Sequence, residues 1–356
     1  MIGTAKLPVR VMIVEDSAVV RQLLAHIISR DPRLELAAAV GTAEDALREI
    51  GRVQPDVISM DIRLPGMDGL EATRRIMSER PTPIVVIAAS VEDAALRISM
   101  NALRAGALSV VEKPVGLSSA GYEAEAQSIC TQLFIMSQVP VIRRRLPEER
   151  APARPSQSYR EDFLTPARPT VVGMAASTGG PPALARVLGG LPKTFPLPIV
   201  LVQHMGAAFM PGFASWLDGV TPLTVSIARH GATPEAGGVY VAPGDRHLMV
   251  GRDGLLQIGD TPPIGGQRPS ANALFQSLAE SVGANAVGIL MTGMGEDGAR
   301  GLLELRKAGG FTITEDESTA VVYGMPAAAV RLGGSRLSLP LDMIGPRLQR
   351  LVERTA

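Results

Sequence analysis

The chain has 356 residues, 46% of them hydrophobic, with 35 basic side chains against 35 acidic ones. That length suits two domains with sizeable cores, and the balanced charge argues against a nucleic-acid binder or a membrane-surface protein. The single cysteine, Cys130, permits no intrachain disulfide, and no apolar run is long enough to span a bilayer, so we expect a soluble protein of the reducing cytoplasm, not inserted in a membrane.

The first apolar stretch, Val9–Val14, runs straight into Glu15-Asp16 with no small-residue cleavage site. It reads as a buried strand and not as a signal peptide. Further β-branched runs follow at Leu36–Val40, Val57–Met60, Ile84–Ala88 and Leu108–Val111, alternating with helical patterns. Such alternation predicts an α/β domain over 1–140, a doubly wound sheet of five parallel strands with helices on both faces. Its closing helix carries Tyr122, Ala126, Ile129, Leu133 and Met136 at helical spacing, a packing stripe with no ligand role.

Arg143 to Pro169 holds five prolines and seven arginines with almost no apolar periodicity, so 141–169 reads as an extended linker. From Thr170 the alternation resumes. The runs Val171–Ala175, Ile199–Val202, Val239–Ala242, Ala286–Thr292 and Phe311–Thr314 predict a second α/β parallel-sheet domain over 170–356.

Chemistry concentrates at strand ends. Glu15 and Asp16 follow the first strand and Asp61 the third. In a doubly wound sheet these carboxyl ends meet at the switch point where ligands bind. Three converging carboxylates call for a cation, and Mg²⁺ suits an all-oxygen donor set. Lys113 follows the fifth strand at the same rim. A divalent ion and a lysine together neutralise an incoming phosphoryl group while Asp61 attacks it. Taken singly, each favours a plainer reading, Asp16 and Asp61 as helix caps and Lys113 as a loop charge; together, at the ends of strands one, three and five, they favour a site.

The segments Val-Glu-Asp-Ser, Met-Asp-Ile-Arg-Leu-Pro-Gly-Met-Asp-Gly and Glu-Lys-Pro resemble a two-component receiver domain over about residues 8–120. The resemblance implies that Asp61 accepts phosphate, that Glu15, Asp16 and Asp61 hold Mg²⁺, and that Lys113 senses the phosphate. Two positions depart from it. Ala88 stands where receivers usually carry a switch Ser or Thr, with Ser90 two residues on, and Val110 replaces the switch aromatic.

In the second half, Ser177 follows the first strand and precedes a glycine-rich helix start, Gly179-Gly180-Pro181-Pro182. A serine on such a turn is presented outward, and the helix N-terminus offers unpaired N–H groups for a developing oxyanion. Ala175 occupies the first place of the Gly-x-Ser-x-Gly pattern, and Ser-Thr-Gly-Gly alone is equally readable as a phosphate-binding turn. His204 follows the next strand. His230 and His247, in loop-like contexts, compete with it as a base, whereas His26 reads as structural. Asp297 follows Ala286–Thr292 in a glycine-rich loop, a common place for a turn aspartate. A serine, a histidine and an aspartate are together the set that activates a hydroxyl.

These stretches resemble the catalytic domain of the chemotaxis protein-glutamate methylesterase family, CheB. The matching segments are Ala-Ser-Thr-Gly-Gly, Gln-His-Met, Ala-Pro-Gly with His247 downstream, Arg268-Pro269-Ser270, Leu-Met-Thr-Gly-Met-Gly-Glu-Asp-Gly and Val-Val-Tyr-Gly-Met-Pro. Receiver, linker and esterase in that order cover nearly the whole chain. The resemblance implies Ser177 as nucleophile, His204 as general base, Asp297 as its orienting group, and the N–H groups of Thr178 and Met294 as oxyanion donors, with no cofactor at the esterase site. It further implies hydrolysis of glutamate methyl esters on chemoreceptor cytoplasmic helices, deamidation of receptor glutamines, and a sensor histidine kinase as phosphoryl donor. Gly206 replaces a usual proline, and Ala271-Asn272 a usual Val-Asp at which substrate holding would change.

From the tandem order and the polar linker we expect the unphosphorylated receiver to cover the Ser177 cleft. Two other readings are weaker. A non-enzymatic helix-binding scaffold would be favoured by a missing triad member, and none is missing. A nucleotide site at Ser-Thr-Gly-Gly calls for an acidic residue after the next strand, where Gln203-His204 stand instead.

Overall fold

The computed structural model describes residues 7–88, 102, 105–114, 122–139 and 168–353. These fall into two compact units, one on each side of residue 158. Ser90 and the expected linker as far as residue 167 lie outside the described residues.

The first unit is a five-stranded parallel sheet in the order β2-β1-β3-β4-β5. Its strands are β1 (Val9–Val14), β2 (Leu34–Val40), β3 (Val57–Met60), β4 (Ile84–Ala88) and β5 (Ser109–Glu112). Helices α1 (Ala18–Ser29), α2 (Ala43–Val53) and α3 (Gly69–Glu79) begin at the side-chain caps Ser17, Thr42 and Asp68. Each cap accepts a hydrogen bond from an N–H of the first turn that would otherwise be unpaired. The expected stripe of α4 (Tyr122–Met136) is inward: Tyr122, Ile129, Leu133 and Met136 are buried and Ala126 half-buried. Cys130 is buried beside them. Strand ends differ from expectation by one or two residues, as at β2, which starts at Leu34.

The second unit is a seven-stranded parallel sheet in the order β14-β13-β12-β6-β7-β9-β8. The expected runs form β6 (Val171–Ala176), β7 (Ile199–Gln203), β9 (Gly238–Val241), β12 (Ala286–Leu290) and β13 (Phe311–Glu315). Two short strands not anticipated, β8 (Thr224–Ile227) and β14 (Leu337–Leu339), complete it at the edges, and β10 (His247–Val250) with β11 (Leu256–Gly259) form a separate antiparallel pair. An edge strand buries one side only, so β8 alternates Thr224 out and Val225 in over four residues, too brief a pattern to stand out. His247 therefore opens a strand instead of sitting in a loop.

The helices are α5 (Gly180–Gly189), α6 (Met210–Val220), α7 (Ala271–Ser281), α8 (Ala299–Lys307), α9 (Met325–Leu332) and α10 (Leu341–Glu353). Two central glycines set how closely α7 and α8 approach. Gly173 of β6 pairs in register with Gly288 of β12. A Cβ on Gly173 would strike Leu278 of α7, and one on Gly288 would come within 2.8 Å of Leu302 and 2.7 Å of Leu305 of α8. Phe275, wholly buried, lies over both glycines. Burying such a side chain contributes about 1.5–3 kcal/mol, and here it also fixes the height of the α7 N-terminus above the sheet.

Candidate functional sites

In the first unit, Val14 pairs with Met60, so Glu15 and Asp61 leave adjacent strands side by side. The Asp61 N–H donates to Val14 O (2.8 Å), and the Lys113 N–H to Ala88 O (3.0 Å), which brings the fifth strand's lysine to the same rim. Lys113 Nζ is 2.8 Å from Asp61 Oδ2 and 2.9 Å from Glu15 Oε2. Glu15 and Asp61 are buried, Lys113 is half-buried and Asp16 exposed. Burial pushes the Glu15 carboxyl up; the Lys113 hydrogen bond offsets part of this, and Asp61 adds to it. Burial disfavours the Lys113 charge, but the bonds to Asp61 and Glu15 outweigh it and hold the ammonium above its usual pKa. One oxygen from each of Glu15, Asp16 and Asp61 lies within 4.8 Å of the others, an acidic cluster able to hold a cation. Ala88, at the end of β4, is buried and Val110 of β5 half-buried, and neither supplies a hydroxyl or an aromatic ring.

In the second unit the chain reverses direction across the sheet between β6 and β12. Three loops meet there: Ser177 after β6, His204 after β7, and Thr292–Asp297 after β12. Ala176 and Gln203 are the last paired residues of β6 and β7, and the His204 N–H continues that ladder to Ala176 O (3.0 Å). Ser177 and His204 thus emerge side by side. The Ser177 N–H donates to Thr292 O (2.9 Å), fixing the serine to the β12 loop as well. A Cβ at Gly293 would lie 2.7 Å from Ser177 Cβ, so only glycine lets this loop pass so near the serine.

His204 Nε2 is 2.9 Å from Asp297 Oδ2, with the two side chains 8% and 7% exposed. The carboxylate accepts three more bonds: Ser270 Oγ to Oδ1 (2.8 Å), the Ala271 N–H to Oδ2 (2.6 Å) and the Asn272 N–H to Oδ1 (3.2 Å). Asp297 therefore caps the N-terminus of α7, whose dipole favours an anion. Burial would raise its pKa, but the hydrogen bond and charge of His204, with Ser270 and Ala271, outweigh it and hold the carboxyl below the usual range. Because the carboxylate can only accept, Nε2 donates to it, and whenever the ring is neutral Nδ1 presents a lone pair. Among the described residues neither Nδ1 nor Ser177 Oγ makes a hydrogen bond, so the structure joins His204 to Asp297 and places Ser177 beside them unbonded.

The other histidines are engaged elsewhere. His230 Nδ1 accepts the Ile258 N–H at 3.2 Å. His247, wholly buried, accepts the Ser270 N–H at Nδ1 and donates from Nε2 to Pro262 O, each at 3.2 Å. His26 lies in the last turn of α1. Of the two expected oxyanion donors, Thr178 is buried beside Ser177 and its carbonyl accepts Thr292 Oγ1 (2.9 Å). The Met294 side chain is 47% exposed, and no acceptor among the described residues engages its N–H. Asn272 Oδ1 accepts the Gly301 N–H (2.8 Å), so this departure from the family pattern ties α7 to α8.

Four residues to which the sequence alone assigns no role complete the site: Gln203, Ser270, Thr292 and Glu315. Glu315, wholly buried at the end of β13, accepts the Thr292 N–H at Oε2 (2.9 Å) and Thr319 Oγ1 at Oε1 (3.1 Å). Burial pushes its carboxyl up from the ordinary 4.5, and these two bonds offset only part of the rise. The native state then holds this proton more tightly than the unfolded chain, so stability falls as pH rises from 4.5 through the native pKa. Glu315→Gln, which keeps an acceptor for Thr292, should raise the melting temperature at pH 7 and converge with the native protein below pH 4.5. Melting curves across that range check this, and a pH-independent difference would contradict it.

Comparison with known proteins shows the family of both halves of the chain. The family model for the CheB methylesterase matches residues 172–348, and that for the response regulator receiver domain residues 11–120. The chain is 54% identical to protein-glutamate methylesterase/protein-glutamine glutaminase 2 of Paramagnetospirillum magneticum, over 96% of this chain and 97% of that one.

The chain belongs to the CheB protein-glutamate methylesterase family.

A second CheB relative, protein-glutamate methylesterase/protein-glutamine glutaminase 4 of Myxococcus xanthus, is 43% identical over 91% of each chain. The solved CheB methylesterase catalytic domain of Thermotoga maritima is 36% identical, covers 52% of this chain and 100% of its own, and superposes with a TM-score of 0.51. The CheB membership accounts for both parallel sheets and their order along the chain. Among the described residues no helix is long and apolar enough to cross a membrane.

Proposed function

We propose that the chain is a cytoplasmic, phosphorylation-regulated protein-glutamate methylesterase that hydrolyses glutamate methyl esters on chemoreceptor cytoplasmic helices and deamidates receptor glutamines. One observation carries the reading: the buried His204–Asp297 pair, with its basic nitrogen turned away from the carboxylate, at the strand end beside Ser177.

Ser177 Oγ attacks the ester carbonyl as His204 Nδ1 takes its proton. Asp297 remains ionised throughout, held so by its four donors, and stabilises the imidazolium. The carbonyl oxygen becomes an oxyanion facing the Met294 and Thr178 N–H groups; losing one such donor typically costs ~10²–10³ in rate. The tetrahedral species expels methoxide, which takes the proton from His204 and leaves as methanol. Water, deprotonated by His204, then attacks the Ser177 ester; as the acyl C–O bond breaks, His204 returns that proton to Ser177 Oγ and the glutamate carboxylate is freed. With a glutamine side chain the leaving group is ammonia.

For regulation, Asp61 accepts a phosphoryl group from a sensor histidine kinase, and Lys113 supplies the positive charge that meets it. The Glu15, Asp16 and Asp61 oxygens fit Mg²⁺ by donor chemistry and spacing. That ion, when bound, neutralises phosphoryl oxygens.

Methanol released from a methylated chemoreceptor fragment tests the reading. Full-length chain should release it, and a small-molecule phosphoryl donor should increase the rate in the native protein but not in Asp61→Asn. No methanol with or without the donor would overturn the esterase assignment; an equal increase in Asp61→Asn would overturn the regulatory one.

A further inference from the structure

We infer that Gln203 is a positioning residue, whose side-chain amide clamps the nucleophile's turn and the base's turn to one another. Gln203 is the last residue of β7, is 1% exposed, and sits beneath the site rather than in it. Its Nε2 donates to Ser177 O and to His204 O, both at 2.9 Å. Both hydrogens of the amide are thus spent on the carbonyls of the two residues whose side chains must react together. Those carbonyls can only accept, so they dictate which way the amide points.

Gln203 Oε1, at the opposite end of the amide, is buried with no hydrogen-bond partner among the described residues. A Cβ on Gly180 would overlap that oxygen, so the helix following the serine starts with a residue that leaves the amide room. Ser177 O also accepts the Gly180 N–H (2.8 Å), which makes the serine carbonyl the shared anchor of the helix start and the clamp.

The strand ladder alone does not hold these turns. Its last bond, His204 N–H to Ala176 O, lies one residue before the serine, and beyond it the Gln203 amide links the β6 and β7 exits directly, while the Thr292–Asp297 loop ties each of them indirectly, through Ser177 N–H to Thr292 O and His204 to Asp297. Without the amide the spacing of the two turns rests on that longer route. A misplacement of about 1 Å at reacting groups costs ~10²-fold in rate.

The inference rests on Ser177 and His204 acting together as proposed above. In the full-length chain, Gln203→Met removes both donors at nearly constant volume, and Gln203→Asn keeps a carboxamide too short to span both carbonyls. Methanol release from a methylated receptor fragment should show kcat about 100-fold lower in Gln203→Met, with a smaller loss in Gln203→Asn and KM unchanged in both. A purely structural role would lower the folded fraction without this split. If Gln203→Met fails to unfold cooperatively, Gln203→Asn decides. Native kcat in either folded variant overturns the clamp, as does failure of both to fold. A native chain releasing no methanol overturns instead the esterase reading on which the clamp depends.

Discussion

Asp297→Asn should lower kcat for methanol release by about 10⁴-fold, the loss seen when the carboxylate of such a triad becomes an amide. The cause is local. Asp297 accepts from His204 Nε2, Ser270 Oγ and the N–H groups of Ala271 and Asn272, so every lone pair facing inward is used. An asparagine brings an NH₂ that must face one of these donors. If the amide oxygen takes the place of Oδ1, the NH₂ meets both the Ala271 N–H and His204 and forces the ring proton from Nε2 to Nδ1, where it blocks the base. If the oxygen takes the place of Oδ2, the NH₂ faces the Asn272 N–H and Ser270, and the helix N-terminus loses part of its cap. Stability falls as well, by about 1.5–3 kcal/mol for the lost charge-assisted bonds. Because the Asp297 pKa is depressed, this contribution is present above the ordinary value of 3.8 and is lost as pH falls through the native pKa. The native protein and Asp297→Asn should therefore converge in stability in acid, which denaturant curves at neutral and acidic pH will show.

Ser177→Ala should behave differently. Methanol release should fall ~10⁶-fold, to background, since removing a serine nucleophile forfeits nearly all that its partners contribute. Stability should stay within about 0.5 kcal/mol of native, because Ser177 Oγ makes no hydrogen bond among the described residues and the turn is held by backbone groups. Ser177 N–H to Thr292 O and Gly180 N–H to Ser177 O survive the substitution. Activity lost at constant stability for Ser177, and activity lost together with stability for Asp297, separate a group that reacts from one that also holds a helix.

The contrast bears on what a sequence can reveal. Ser177, His204 and Asp297 are visible because each follows an apolar run, and a parallel sheet collects strand ends on one rim. Glu15, Asp61 and Lys113 are visible for the same reason, and the register of β1, β3 and β5 brings them within salt-bridge distance. Gln203 and Glu315 are hidden although they too end strands. Their meaning depends on what lies across the sheet: Gln203 reaches the carbonyl of Ser177, 26 residues away, and Glu315 the N–H of Thr292, 23 away. Ser270 stands in the sequence only as part of a matching segment; in the structure it is the N-cap of α7, accepting from the Asn272 and Ala273 N–H groups. Its second bond, to Asp297, spans 27 residues, and Gly173 leaves room for the Leu278 side chain of the helix that Ser270 caps. His247 looks like a competing base until its two ring nitrogens are found anchoring Ser270 and Pro262. Edge strands β8 and β14 are too short to announce themselves.

The most direct test of the central claim is to catch the acyl-enzyme. Full-length chain mixed with a methylated receptor fragment, quenched in acid within one turnover and digested, should yield a peptide in which Ser177 is esterified to a receptor glutamate, with one methanol released for each ester. Gln203 and Asp297 variants should form it more slowly, and Ser177→Ala not at all. An ester on another residue, or methanol released by Ser177→Ala at the native rate with no adduct, would contradict the account.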